Sequence, residues 1–115
     1  MRKWAYLATA LDRDGESIKK IMVYETDSRD AYVFLYHSDT AQTCAHDEWY
    51  ATLDEALAAW SPLIAATGWT VIDDPLPDCQ HDAFLPLRVK GRNTEKPQWG
   101  QYELLTDSGW VDYHE

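Results

Sequence analysis

The feature that most restricts the fold is a period of two that repeats through the first third of the chain. Residues 31–37 read AYVFLYH, so three aromatic rings fall on one side of an extended backbone and two aliphatic side chains on the other. Residues 3–11 also alternate between two faces, and residues 18–25 are rich in strand-forming residues. Polar turns at 12–15 and 27–30 separate the segments, which predicts a three-strand antiparallel meander.

A helix signal follows the meander. Thr52 stands three residues before Glu55, the spacing of a capping box, and apolar residues continue at helical spacing to Ile64. Pro62 in the interior of a continuous helix would remove a hydrogen bond and clash with the preceding turn. We therefore expect a helix that is kinked at Ser61, or split there with Pro62 in the first turn of a second helix.

Strand patterns return towards the end of the chain. Residues 84–90 alternate, and residues 98–105 and 110–113 flank the turn at 106–109 as a hairpin. The predicted fold class is α+β, with a mainly antiparallel sheet (an N-terminal three-strand meander plus a C-terminal hairpin) and one kinked or split helix packed on one face. A chain of 115 residues predicts a single globular domain over 1–115.

The net charge of −10 comes almost wholly from the middle of the chain. Residues 26–83 hold eleven carboxylates and one cation, Arg29, giving −10, whereas residues 1–25 sum to +1 and residues 84–115 to −1. Nucleic acids and anionic membranes bind clustered cations, so neither is expected as a partner. The N-terminus does not resemble a signal peptide, and the longest uncharged run is interrupted by polar residues and proline, which predicts a soluble, cytoplasmic protein.

A surface of one sign steers a partner of the opposite sign, and exposed Trp and Tyr then supply contact energy. The preferred hypothesis is thus a non-enzymatic, acidic binding protein that engages a basic protein partner, as an inhibitor or immunity-type protein does. The residues expected to form its binding face are Asp39, Asp47, Glu48, Trp49, Asp73, Asp74, Asp78 and Asp82.

A matched pair of motifs suggests an alternative function. Cys44 and His46 form one Cys-x-His pair, and Cys79 and His81 form another. On an extended backbone both members of a pair point the same way, so the two pairs together could supply the four ligands of a zinc site. Their spacing lacks the short Cys-to-Cys separation of structural zinc sites, and the binding hypothesis therefore stands ahead of zinc.

Two further alternatives follow from single features. Cys79 lies close to His81, as a catalytic thiol requires, but the surrounding carboxylates oppose thiolate formation, so no enzymatic activity is expected. A structural subunit of a homo-oligomer is the third functional class. Cations at alternate positions, Arg88, Lys90 and Arg92, would hold an anion, pair with the acidic middle or simply protect a sheet edge.

Overall fold

Two antiparallel sheets and one short helix make up the computed structural model, which describes residues 1–92 and 94–114. This confirms an α+β fold dominated by antiparallel sheet. The first sheet contains β1 (Arg2–Arg13), β2 (Glu16–Glu25), β3 (Ala31–Tyr36), β4 (His46–Tyr50) and β5 (Thr70–Ile72). The second contains β6 (Leu87–Lys90), β7 (Gln98–Thr106) and β8 (Gly109–Tyr113).

The five-stranded sheet has the order β4-β3-β2-β1-β5. Its first four strands pair in chain order. The connection after β4 contains the helix and leads to the opposite edge of the sheet, where β5 pairs with β1. The register places Tyr32 opposite both Tyr24 and Trp49, and Phe34 opposite Asp47. Directly opposite residues lie on the same face of a sheet, so these side chains share one face.

The helix α1 (Leu53–Trp60) begins where its capping residue predicts. The Thr52 hydroxyl oxygen accepts a hydrogen bond from the Glu55 backbone N–H at 3.2 Å. A 3₁₀ turn over Ser61–Leu63 continues directly from the helix, with Pro62 near its start where a missing N–H is harmless. The helix and this turn together span the connection from β4 to β5.

The helix covers the aliphatic face of the five-stranded sheet. Ala56 and Trp60 pack there against a buried cluster drawn from the first three strands. That cluster consists of Leu7, Ile18, Ile21, Val23, Ala31, Val33 and Leu35. Burying such side chains contributes about 1.5–3 kcal/mol each, so this face provides the main core.

The aromatic face of the same sheet is covered by a loop. Residues 73–86, which we name the covering loop, connect β5 to β6, and Phe84 packs against a cluster that includes Met22, Phe34 and Tyr36. The sequence pattern predicts a strand from residue 84, but β6 begins only at Leu87. The Phe84 N–H instead donates to the Gln42 carbonyl at 3.2 Å, and Pro86 has no N–H for a strand ladder.

The C-terminal sheet has the order β6-β7-β8, and β7 and β8 meet at the Thr106–Gly109 pair. The strand β6 ends at Lys90, and Gly91 follows with a φ of +77°. Arg92 therefore lies in a turn and does not extend the strand. In the described part of the chain, no helix is long and apolar enough to cross a membrane.

Candidate functional site

The position of the covering loop depends on one buried arginine. The Arg2 guanidinium is 6% exposed and donates to the carbonyl oxygens of Asp73 at 2.8 Å, His81 at 3.0 Å and Ala83 at 2.8 Å. Hydrogen bonds from a charged donor contribute roughly 1.5–3 kcal/mol each. Arg2 thus holds both ends of the covering loop against β1, far away in the sequence.

A second buried cation supports the same loop. Lys20 donates from Nζ to the carbonyl oxygens of Asp39 at 2.8 Å and Ala41 at 3.2 Å. Its Nζ also lies 4.1 Å from the centre of the Phe84 ring and 5.3 Å from that of Tyr36. Cation–π contacts stabilise a desolvated ammonium group, so Phe84 has a fixed place on the sheet.

The covering loop leaves one part of the aromatic face open. There, a groove of about 690 Å³ lies between β3, β4, the turn after β2 and the tip of the covering loop. We name it the aromatic–acidic groove. Its described lining residues are Thr26, Ser28, Asp30, Tyr32, Phe34, Cys44, Asp47, Gln80, His81 and Asp82.

Tyr32 and Phe34 from β3 provide the aromatic surface of the groove. Their rings are parallel to within 3°, and their centres are 6.0 Å apart. On the loop side, the His81 ring packs on Tyr24 with 4.8 Å between ring centres. This contact fixes the wall that the covering loop contributes.

At the other end, a tryptophan forms the rim of the groove. Trp49 is 58% exposed, and its indole N–H donates to Asp30 Oδ2 at 2.7 Å. The Thr26 hydroxyl donates to the other oxygen of Asp30. These two hydrogen bonds lower the pKa of Asp30, so it stays ionised at neutral pH.

The groove is strongly anionic. Three of its described lining residues, Asp30, Asp47 and Asp82, are carboxylates, and none is lysine or arginine. Burial and the nearby Arg92 lower the pKa of His81, so this imidazole is neutral at pH 7. Asp82 itself is fixed, because its Oδ2 accepts the Cys44 backbone N–H at 2.8 Å.

The four candidate zinc ligands occupy different surroundings. Cys44 and His81 line the groove, Cys79 is a buried residue of the covering loop itself, and His46 lies 3.8 Å from Glu16. Among the described residues, no group of three or more His, Cys, Asp or Glu side chains is placed to hold a metal ion. The zinc hypothesis therefore stays a prediction from the two matched Cys-x-His motifs, without a ligand set in the described chain.

Both cysteines are free thiols held in their neutral form. Burial, followed by the charge of Asp82, raises the pKa of Cys44 well above its ordinary value. Burial also raises the pKa of Cys79. Neither environment produces the thiolate that nucleophilic catalysis needs.

The acidic residues expected to share a face are distributed over several surfaces. Asp47 and Asp82 line the groove, and Trp49 lies at its rim, whereas Asp39 lies in the exposed loop after β3. Glu48 alternates with its neighbours in β4 and pairs with Arg13 at 2.6 Å. The structure thus brings three of the eight together.

The other three predicted acids lie on the covering loop away from the groove. Asp73 and Asp74 flank a smaller cavity of about 210 Å³, and the N-terminal ammonium group pairs with Asp74 at 2.8 Å. Asp78 is exposed, and its backbone carbonyl accepts a hydrogen bond from Arg92 at 2.9 Å. These acids add to the negative electrostatic potential around the groove but do not line it.

The predicted cationic stripe pairs mostly within its own sheet. Arg88 pairs with Glu103 at 3.0 Å, and Lys90 pairs with Asp112 at 2.9 Å. Only Arg92 reaches the acidic middle of the chain. Because Arg92 makes this contact through a backbone carbonyl, none of the three cations forms an ion pair with a groove carboxylate in the described part of the chain.

The alternation of the sequence predicts Tyr32 and Phe34 as core residues, and Phe34 is buried at 7% exposure with Tyr32 packed against the same cluster. The pattern does not indicate that both rings also line a groove, or that Asp30 has a role beyond a turn. Alternation shows that two rings share a face, but it does not show how much of that face a distant loop will cover. An aspartate that ends a turn one residue before an aromatic strand is the signal that the sequence offers.

No protein-family model, curated protein or solved structure matches this chain.

Proposed function

We propose that this protein is a small acidic binding protein that engages a basic protein partner through the aromatic–acidic groove and Trp49. The observation that carries the proposal is the combination of an aromatic surface with Asp30, Asp47 and Asp82 in one groove without a lining lysine or arginine among the described residues. Because both cysteines are free thiols, we place this encounter in a reducing compartment, the cytoplasm.

Two physical effects support this function. The net charge of −10 attracts a cationic surface before contact and raises the association rate, an effect that salt screens. Once contact is made, an exposed tryptophan beside a groove supplies the buried apolar area that prolongs a complex. An inhibitor or immunity-type protein that blocks a basic enzyme is one function that uses both effects.

The proposal can be tested by capture with two baits from a lysate of the source cells. One bait is the natural chain, and the other carries Asp47→Lys and Trp49→Ala. Both positions lie on the edge strand β4 and are exposed, so the variant should fold. We expect a basic protein enriched on the natural bait only; once purified, it should bind at least about tenfold more weakly at 300 mM than at 50 mM salt.

A matched control bait carries Asp107→Lys and Trp99→Ala, which change the same residue types on the exposed C-terminal hairpin. This bait should capture the same protein as the natural chain. Equal capture by all three baits, or a purified partner whose affinity does not respond to salt, would contradict the proposal.

A further inference from the structure

We propose that the aromatic–acidic groove receives an arginine side chain, whose guanidinium group lies against the Tyr32–Phe34 ring pair and donates hydrogen bonds to Asp47 and Asp82. This inference rests on the proposed function, since the arginine would belong to the basic partner. It names the chemical group that the groove recognises.

The placement of the carboxylates supports a cationic group lying beside the rings. Asp47 is directly opposite Phe34 across the β3–β4 pair, and Asp82 is held beside Cys44 by a hydrogen bond of 2.8 Å. Both acids line the same groove as the ring pair, Asp47 from β4 and Asp82 from the covering loop. Tyr32 is the partly exposed ring of that pair, so it offers a cation held between the acids an aromatic contact.

The chemistry of arginine fits this arrangement better than that of lysine. A guanidinium is planar, stacks on aromatic rings and carries five N–H donors that reach more than one carboxylate. It is also less strongly hydrated than an ammonium group, so it loses less on entering a partly apolar groove. A lysine would satisfy the charge but not the stacking surface.

The same chain contains this arrangement once already. On the C-terminal sheet, the Arg88 guanidinium carbon lies 3.9 Å from the centre of the Trp110 ring, while Nε donates to Glu103 at 3.0 Å. That site combines an aromatic face, a carboxylate and a guanidinium. The groove presents the first two components and has no guanidinium of its own among its described lining residues.

The test uses N-acetyl-arginine methylamide as the probe, with the matching lysine and citrulline compounds as comparisons. Citrulline keeps the shape of arginine and lacks its charge. Backbone amide shifts of the isotope-labelled full chain are followed by NMR at low salt. We expect saturable shifts at groove residues, with arginine binding about tenfold more tightly than citrulline and about threefold more tightly than lysine.

Two variants and their matched controls locate the binding. Asp47→Asn and Tyr32→Ile should each weaken arginine binding by about threefold or more. Asp107→Asn removes an exposed carboxylate from the hairpin turn, and Tyr6→Ile removes a ring from the same sheet face outside the groove; neither should change binding. The amide spectra also show directly whether each variant folds.

Equal affinity for arginine and citrulline, or binding unaffected by both groove variants, would overturn the inference. Equal affinity for arginine and lysine would overturn the stacking argument specifically. Failure of this test is distinguishable from failure of the proposed function. If the probe does not bind but capture of a basic protein still depends on Asp47 and Trp49, the function stands and only the arginine assignment is lost.

Discussion

In the five-stranded sheet, a helix covers one face and a loop covers the other, whereas in the three-stranded sheet only Leu87 is buried among the described residues. Trp99 on β7 is 79% exposed, and Val111 on β8 is also exposed. The first sheet is a true core, with side chains such as Leu35 fully enclosed. The second is a small, largely uncovered extension that follows the covering loop.

The two sheets also use their charges differently. In the first, Arg2 and Lys20 are buried and bind backbone carbonyl groups of distant loops. In the second, Arg88 pairs with Glu103 on the adjacent strand β7, and Lys90 pairs with Asp112 two strands away on β8, near or at the surface. Buried charges that bind backbone fix tertiary structure, whereas surface ion pairs contribute little to stability. The groove lies in the region that the buried charges organise.

The largest expected effect tests this difference in packing. Leu35→Ala leaves a cavity in the closed core and should lower the free energy of unfolding by about 3 kcal/mol, whereas Leu104→Ala on the half-buried second sheet should lower it by about 1 kcal/mol. Urea denaturation followed by tryptophan fluorescence measures both values. Equal losses for the two leucines would show that the second sheet is packed as firmly as the first.

The next prediction concerns the covering loop. Arg2→Met keeps the length of the side chain but leaves the carbonyls of Asp73, His81 and Ala83 without their charged donor. We expect a loss of about 2–3 kcal/mol in the free energy of unfolding, less than three charged hydrogen bonds would sum to, because Met avoids the desolvation cost of the buried guanidinium. The control Arg13→Met breaks a partly exposed side-chain pair with Glu48 and should cost below about 1 kcal/mol. Equal effects would mean that the loop is held by something other than Arg2.

The part of this fold that sequence predicts best is local. The alternation in residues 31–37 indicates the strand that the structure places at Ala31–Tyr36, and Thr52 marks the helix start because its cap contacts only the next turn. The α+β class follows from such patterns. The wrong prediction of a strand at residues 84–86 has a long-range cause, because Phe84 packs on Met22, Phe34 and Tyr36 from the first third of the chain.

The groove was not predictable for a related reason. Its wall depends on Arg2 binding carbonyl groups 71 to 81 positions away, and backbone carbonyls have no signature in the sequence. Charge counting identified Asp47 and Asp82 but grouped them with Glu48, whose side chain instead pairs with Arg13. Composition predicts how much charge a region carries, whereas the direction of each side chain depends on register and loop placement.

A smaller effect is expected from the charges of the second sheet. Arg88→Lys keeps the charge next to Glu103 but removes the planar group that lies 3.9 Å from the Trp110 ring centre. We expect a loss of roughly 0.5–1 kcal/mol in the free energy of unfolding. The reciprocal Lys90→Arg, beside the exposed Asp112, should change stability by less than about 0.5 kcal/mol. If both substitutions were neutral, stacking would not contribute to this sheet.

The smallest effect links pH to the covering loop through His81. Burial and the charge of Arg92 lower the folded-state pKa of His81 below its ordinary 6.5, and Arg2 adds to this while Asp82 opposes it. Above pH 6.5 the imidazole is neutral in both states and stability does not depend on it. As the pH falls below 6.5, the unfolded chain takes up the proton first, so the folded state loses stability until its own pKa is passed.

Comparing the natural chain with His81→Gln isolates this contribution from that of the carboxylates. Between pH 7.5 and pH 5.5, the urea midpoint of the natural chain should fall more than that of the variant. A constant difference between them would mean that His81 titrates alike in both states. His81 packs on Tyr24, and its backbone carbonyl accepts a hydrogen bond from Arg2. The acid sensitivity of the natural chain therefore measures how firmly the covering loop holds the groove wall. This sensitivity should disappear in Arg2→Met, because that substitution releases the loop.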